Sequence, residues 1–226
     1  MNPLFNPSVY QNRRERLTQS VGNGIAVFLG NHEAPMNYPD NTYNFRQDSS
    51  FLYYFGLDCA GLAAVINIDD DQEIVFGNEL TIDDIVWTGT MPTLAEMAAG
   101  YAVSRTMPLA DLGGYIHSCQ AKGQQIHFLP PYRHDTKIQI MDLLGIHPSQ
   151  QKDAASLELI NAVVKMRSVK TQEEIEELER ASHIGYMMHT TAMKLVRPGL
   201  TEKYVGGQVD GMAHSLGAHE SFATIF

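Results

Sequence analysis

Leu62-Ala63-Ala64-Val65-Ile66-Asn67-Ile68-Asp69-Asp70-Asp71-Gln72-Glu73-Ile74-Val75-Phe76 is the stretch on which the reading of the fold turns. Two apolar, partly β-branched runs flank four polar residues, and that spacing reads as two strands facing each other in a hairpin. The three aspartates lack a DxDxDG loop and a glutamate at the twelfth position, so they read as a solvated turn and not a calcium loop.

Outward from the hairpin, strands alternate with helices. Upstream, Ile25-Ala26-Val27-Phe28-Leu29, closed by Gly30, is a short continuous apolar run of the buried-strand type. Before it, Ser8 to Ser20 reads as a surface helix with Arg13, Arg14, Glu15 and Arg16, stopped by Gly22-Asn23-Gly24. Residues 31–43 read as loop. Downstream, helices are expected near 93–100 and 111–121, a strand at Ile126-His127-Phe128-Leu129, and further elements over 135–144 and 153–165. This alternation predicts a layered α/β domain with a largely central sheet over residues 1–165.

The texture changes after that. Thr171-Gln172-Glu173-Glu174 is a capping box that opens a long helix, with Ile175, Leu178, Ile184, Met187, Met188 and Ala192 on or near one stripe. Arg197-Pro198-Gly199 stops it, and Thr201 caps a second helix bearing Val205, Val209, Met212, Ala213 and Leu216. Ser221 to Phe226 reads as a strand. Two amphipathic helices need further elements to cover their stripes, so residues 166–226 are expected to be the opening of an incomplete second domain. Those exposed stripes also predict self-association.

Bulk properties narrow the function classes. The 226 residues are 44% hydrophobic and 19% charged, with a formal net charge of −10. An acidic chain is a poor partner for nucleic acid or an anionic membrane. No run approaches the ~20 apolar residues that span a bilayer. The start Met1-Asn2-Pro3-Leu4-Phe5 has no cationic or apolar leader region, which argues for a cytoplasmic protein. Cys59 and Cys119 have no metal-type spacing and read as reduced thiols.

Motifs that carry chemistry are scarce. There is no Walker A loop and no GxSxG elbow. Gly22-Asn23-Gly24 lacks the third glycine of a dinucleotide fingerprint, and His219-Glu220 lacks the second histidine of HExxH. His183 and His189 are six apart and project to different faces of one helix; a break separates His214 from His219. Arg133-His134-Asp135 reads as a solvated loop. Composition and spacing yield no active site and no metal ligands.

One stretch is more specific. Tyr43-Asn44-Phe45-Arg46-Gln47-Asp48-Ser49-Ser50-Phe51-Leu52-Tyr53-Tyr54-Phe55-Gly56 resembles the signature of the amino-terminal domain of Xaa-Pro aminopeptidases and prolidases, Arg-Gln-(Asp/Asn)-Ser followed by an aromatic-rich strand ending in glycine. In that reading Arg46 and Asp48 form a charge-assisted pair beneath a sheet edge, a structural signature, and Phe51, Tyr53 and Phe55 share a face. Arg13 to Leu17 resembles the family's first helix, Leu62 to Gly77 its hairpin and Val86-Trp87-Thr88-Gly89 its aromatic-glycine step. Met166 to Ile175 resembles the lead into its catalytic domain, and Ser221 to Ile225 a strand shortly before the first catalytic motif.

The resemblance implies an α/β amino-terminal domain with a mixed sheet, followed here by the first helices of a pita-bread domain. It implies a Xaa-Pro aminopeptidase, a hydrolase that releases the amino-terminal residue ahead of proline through two divalent metals, usually manganese, held by two Asp, one His and two Glu, which generate a hydroxide. In the family order all five ligands fall beyond Phe226, so no catalytic or metal residue is assigned in this chain, Asp210 and His214 included. The chain alone is then expected to be inactive and to bind no metal. Trp87 stands where relatives place a tryptophan that reaches a neighbouring subunit's cleft in a homo-oligomer; a partly buried packing role is the alternative. Prolidase, a metal-free creatinase-like enzyme and a non-catalytic interaction module are the competing readings.

Overall fold

Continuous apolar runs can form strands only where both faces are covered, and the chain provides a cover for each face. The computed structural model describes residues 3–222, 224 and 225. Two units result, Met1–Arg167 and Ser168–Phe226. In chain order the first holds α1 (Pro7–Val21), β1 (Ile25–Leu29), β2 (Pro35–Tyr38), β3 (Asn41–Thr42), α2 (Ser49–Phe55), β4 (Ala63–Asn67), β5 (Gln72–Gly77), α3 (Ile82–Thr88), α4 (Leu94–Ala99), β6 (Arg105–Pro108), α5 (Leu112–Ala121), β7 (Ile126–Phe128), α6 (His134–Leu144), α7 (Gln151–Ala154) and α8 (Leu157–Ser168). The second holds α9 (Gln172–Leu195) and α10 (Glu202–Ser215).

The central sheet has the order β6-β5-β4-β1-β7. β4 runs antiparallel to both neighbours, while β6 is parallel to β5 and β7 to β1. Four strands therefore point one way, and β4 alone points back. Register puts Val27, Val65 and Ile74 in one row, and Phe28, Ala64 and Val75 in the next. Side chains alternate between the faces, so the rows feed different cores. The first row packs with Leu112, Ile116 and Cys119 of α5. The second packs with Tyr10 and Leu17 of α1, the rings of α2, and Leu159 and Met166 of α8. Ala64 is small where Phe28 meets Tyr54 and Phe55, ring centres 5.2 and 5.7 Å away. Each ring taken out of water there contributes about 1.5–3 kcal/mol.

The layered α/β architecture and the hairpin expected from sequence are both present, and four local expectations are corrected. Residues 49–55 form a helix, not an aromatic strand. Asp48 Oδ1 accepts from Ser50 N and Phe51 N at 2.9 Å each, and Gly56 ends the helix in the left-handed region. Phe51, Tyr54 and Phe55, at helical spacing, are the residues buried. At Gly56, φ is +70°, and a Cβ would stand 2.3 Å from the Tyr101 ring, so glycine is required twice over. Residues 31–43 are not all loop, since β2 and β3 form a small exposed hairpin. The first helix is no surface helix, because Arg13 and Arg14 are both buried. The strand expected over 221–226 is absent at Ser221, Phe222, Thr224 and Ile225, where no strand lies alongside to pair with; Ala223 and Phe226 lie outside the described residues.

In the second unit the capping box forms as its sequence indicates, Thr171 N donating to Glu174 Oε2 at 2.8 Å. Val205, Val209 and Ala213 of α10 are buried against α9. No residue of α9 is fully buried. Among the described residues no helix is long and apolar enough to cross a membrane.

Candidate functional site

The Arg46-Gln47-Asp48-Ser49 segment enters the fold as a buried brace. Asp48 uses its carboxylate to cap α2, and no ion pair joins it to Arg46 among the described residues. Arg46 is exposed and offers its carbonyl, which accepts from Asn31 Nδ2 at 2.8 Å. The expected Arg46–Asp48 pair is thus replaced by a helix cap, because the chain turns into a helix at this point. The residue between them carries the load. Gln47, 3% exposed, accepts at Oε1 from Asn31 N (2.7 Å) and Asp48 N (2.9 Å). Its Nε2 donates to Leu57 O (3.2 Å) and Cys59 O (2.8 Å). One amide thereby satisfies four backbone groups on the loops either side of α2, which an apolar side chain cannot do.

Arg14 does the same for α1. It is fully buried, and its Nη1 donates to Tyr54 O at 2.9 Å, its Nη2 to Tyr101 O at 3.2 Å and Ala102 O at 3.0 Å. Its Nε stands 2.8 Å from Glu73 Oε2, an ion-pair contact without the alignment of a hydrogen bond. Burial pulls the Arg14 guanidinium below its ordinary value, against the pull of Glu73. Burial likewise pushes the Glu73 carboxyl up, against Arg14. Loss of water therefore outweighs attraction for both partners, as is usual for ions in an interior. Arg13, beside it, donates to Tyr53 O at 2.9 Å and stacks 4.0 Å over the Tyr53 ring. Sequence reading missed Arg14 and Gln47. The available signal was an arginine at the i−3 position to Leu17 on the apolar face of α1, and an amide between two charged residues just ahead of a helix cap.

Because β1, β5, β6 and β7 run the same way, the loops that follow them leave one edge of the sheet. Trp87 lies on the β5 loop, on α3, which a Thr81–Asp84 capping box starts and Gly89 ends. It is 89% exposed. The β1 and β7 loops meet at the same edge: Arg133 Nη2 donates to His32 O at 3.1 Å, and Asn31 Nδ2 approaches Tyr132 Oη at 3.4 Å. Arg133 and Asp135, expected in a solvated loop, are paired and partly buried, with Nη2–Oδ2 at 3.0 Å, since α6 begins at His134. Between the ends of β1 and β7 is a cavity of about 50 Å³, walled by Phe128, Ile140 and Leu143 and bordered by Asn31, Asp48 and Tyr132.

Two of the histidines singled out in the sequence are neighbours in space. In the second unit His214 Nε2 lies 3.5 Å from Glu220 Oε1, and the His214 and His219 rings are 5.1 Å apart. Asp210 bonds to Thr224. Among the described residues no three His, Cys, Asp or Glu side chains form a group able to hold a metal ion. Cys59 and Cys119 are both free.

The family model of the aminopeptidase P N-terminal domain matches residues 10–127, just over half of the chain. The chain belongs to that family. The match runs from Tyr10 on α1 to His127 on β7 and takes in every strand of the central sheet, the Gln47 brace and Trp87. This aminopeptidase P N-terminal domain continues into a longer likeness. The chain is 25% identical over 226 residues to the Xaa-Pro aminopeptidase of Escherichia coli strain K12, covering 96% of this chain and 51% of that one. It is also 25% identical over 203 residues to a probable Xaa-Pro aminopeptidase of Sordaria macrospora, covering 89% and 34%. Among solved structures, the low-pH form of E. coli aminopeptidase P shares its fold, with a TM-score of 0.76 at 23% identity over 94% of this chain and 50% of that one. The zinc-substituted form of that enzyme in complex with product gives 0.77 at 22% identity. The chain therefore spans about half the length of the bacterial relative and about a third of the fungal one.

Proposed function

We propose that the chain is the leading part of a metal-dependent Xaa-Pro aminopeptidase of the cytoplasm, with residues 1–165 as its non-catalytic domain and residues 166–226 as the start of its pita-bread catalytic domain. The observation that carries this reading is the likeness to the E. coli Xaa-Pro aminopeptidase, which runs through both units over 96% of the chain. Two free cysteines are in keeping with a reducing compartment. The dinuclear metal group, manganese in this proposal, does not fit the residues described, since no donor set of three converges. Its ligands are proposed to lie outside residues 1–226.

Release of the first residue from a Xaa-Pro peptide with added Mn²⁺ tests the proposal. The purified 226-residue chain is expected to show no release above a mock preparation, and the product of the coding frame continued past the Phe226 codon is expected to show it. Metal-stimulated release by the shorter chain would overturn the assignment. So would an inactive longer product, or a frame that closes at Phe226.

The same reading makes the protein a homo-oligomer in which Trp87 reaches a neighbour's substrate cleft and adds apolar contact there. An indole 89% exposed, on a helix with every residue exposed, supports it. So do the uncovered Ile175 and Leu178 of α9. Light scattering on the purified chain at high micromolar concentration is expected to show species larger than 25.2 kDa. A clean monomer counts against self-association and removes the basis for the Trp87 role.

A further inference from the structure

Asn23-Gly24, in the link between α1 and β1, carries the reactants of a self-modification. The Gly24 nitrogen can attack Cγ of Asn23 and close a succinimide ring. The side-chain nitrogen leaves as ammonia and takes the Gly24 proton with it. Water then opens one of the two ring C–N bonds and returns a proton to the nitrogen it frees. The product is aspartate, or isoaspartate when the original main-chain bond is the one that opens. Water is the sole co-reactant. Glycine favours the closure because it has no side chain to crowd the ring. The Asn-Gly pair occurs once in the 226 residues.

The fold holds these reactants back. Asn23 is exposed, whereas Gly24 is buried and its N–H donates to Asp69 Oδ1 at 2.8 Å. The attacking nitrogen must give up that proton, and a carboxylate so close opposes the negative charge that would form. The peptide must also turn, and it is pinned on both sides. His127 Nε2 donates to Asn23 O at 3.0 Å, and Ile68 N to Gly24 O at 2.9 Å. Ile25 N donates to Gln125 O at 2.8 Å, and a Cβ on Gly24 would stand 2.3 Å from that same oxygen. Asp69 is fixed in turn, its Oδ2 accepting from Gln124 Nε2 at 3.0 Å.

We infer that Asn23-Gly24 is a latent deamidation site, and that Asp69, on the turn between β4 and β5, guards it in the folded chain. The site opens when that turn lets go. Isoaspartate adds a main-chain carbon just ahead of Ile25, whose register with Asn67 and Ile126 starts two strand pairs. A modified chain therefore closes with Gly24 displaced from Asp69 or Ile25 displaced from its partners. A passing local opening is converted into a lasting change. This goes beyond the proposed function and does not depend on it.

The test is the rate at which the peptide carrying residue 23 changes from amide to acid, read by mass spectrometry. The purified 226-residue chain is incubated in mildly alkaline buffer, folded and in urea. Slow conversion is expected in the folded chain and fast conversion in urea. Asp69→Ala is expected to speed the folded chain about tenfold or more, the rate equivalent of one hydrogen bond to a charged group. Asp69→Asn keeps an acceptor oxygen without the charge and is expected to fall between. Lys122→Ala cuts the contact to Asp70 on the same turn and leaves Asp69 in place, so its rate is expected to match wild type. Melting temperatures show that the variants stay folded during incubation. No conversion in urea overturns the site, and a folded chain as fast as the unfolded one overturns the guard. So does wild-type rate in Asp69→Ala, or equal acceleration in Lys122→Ala.

Discussion

Replacing Arg14 by methionine is expected to destabilise the first unit by about 3–5 kcal/mol, the range for removing one partner of a buried ion pair. For a domain of this size that corresponds to a melting temperature lower by roughly 6–20 °C. The change keeps much of the apolar stem but strips the donors from two buried carbonyls, Tyr54 O and Tyr101 O, and a partly buried one, Ala102 O. It also leaves Glu73 without its cation. These carbonyls belong to the end of α2 and to the turn after α4, so the loss is spread over two segments besides α1. Arg14→Lys retains the charge and loses the planar fork, and its cost is expected to fall between wild type and Arg14→Met. Glu73→Gln separates the carbonyl clamp from the ion pair. It leaves the buried Arg14 without its counter-charge but keeps the three carbonyl bonds, so that change is expected to cost less than Arg14→Met. Urea unfolding of the three variants gives the comparison. An Arg14→Met protein within about 1 kcal/mol of wild type would sink the clamp as a stabilising device.

Gln47→Leu is the second large effect, expected at about 4 kcal/mol or more. It is close in size, so little packing is lost, but Asn31 N, Asp48 N, Leu57 O and Cys59 O all lose their partner. Each buried group left unpaired costs about 1–3 kcal/mol. Gln47→Glu sharpens the test, since a carboxylate accepts from the two N–H groups and cannot donate to the two carbonyls. It is expected to be destabilising as well. Amide hydrogen exchange at Asn31 and Asp48 reports the same event locally, with faster exchange in Gln47→Leu. Wild-type stability in both variants would show that water serves those groups as well as the amide does.

Much of the frame is legible in the sequence. The runs at 25–29 and 63–67, the capping box at Thr171 and the stop at Pro198-Gly199 act within a few residues of themselves, and each became the element its pattern indicated. The signature at 43–56 was legible as a likeness and misread as geometry. Phe51, Tyr53 and Phe55 alternate like a strand, yet Asp48 and Gly56 cap the segment at both ends, and the caps prevailed. Local hydrogen bonds at the ends of a short helix satisfy backbone groups that a strand there would have to pair with a neighbour.

Sequence by itself determined the strands at 25–29, 63–67, 72–77 and 126–128, the long capped helices, the family and the acidic character, because periodicity, caps and net charge are sums over neighbours along the chain. The tertiary structure alone decided that Arg14 and Gln47 are interior, that Arg46 and Asp48 do not pair, and that Asn31, Asp48 and Tyr132 border one cavity. Those facts depend on contacts up to 101 residues apart, such as Asn31 to Tyr132. Loop closure and strand order bring such groups together, and an arginine reads the same in sequence whether it ends in water or beneath three carbonyls.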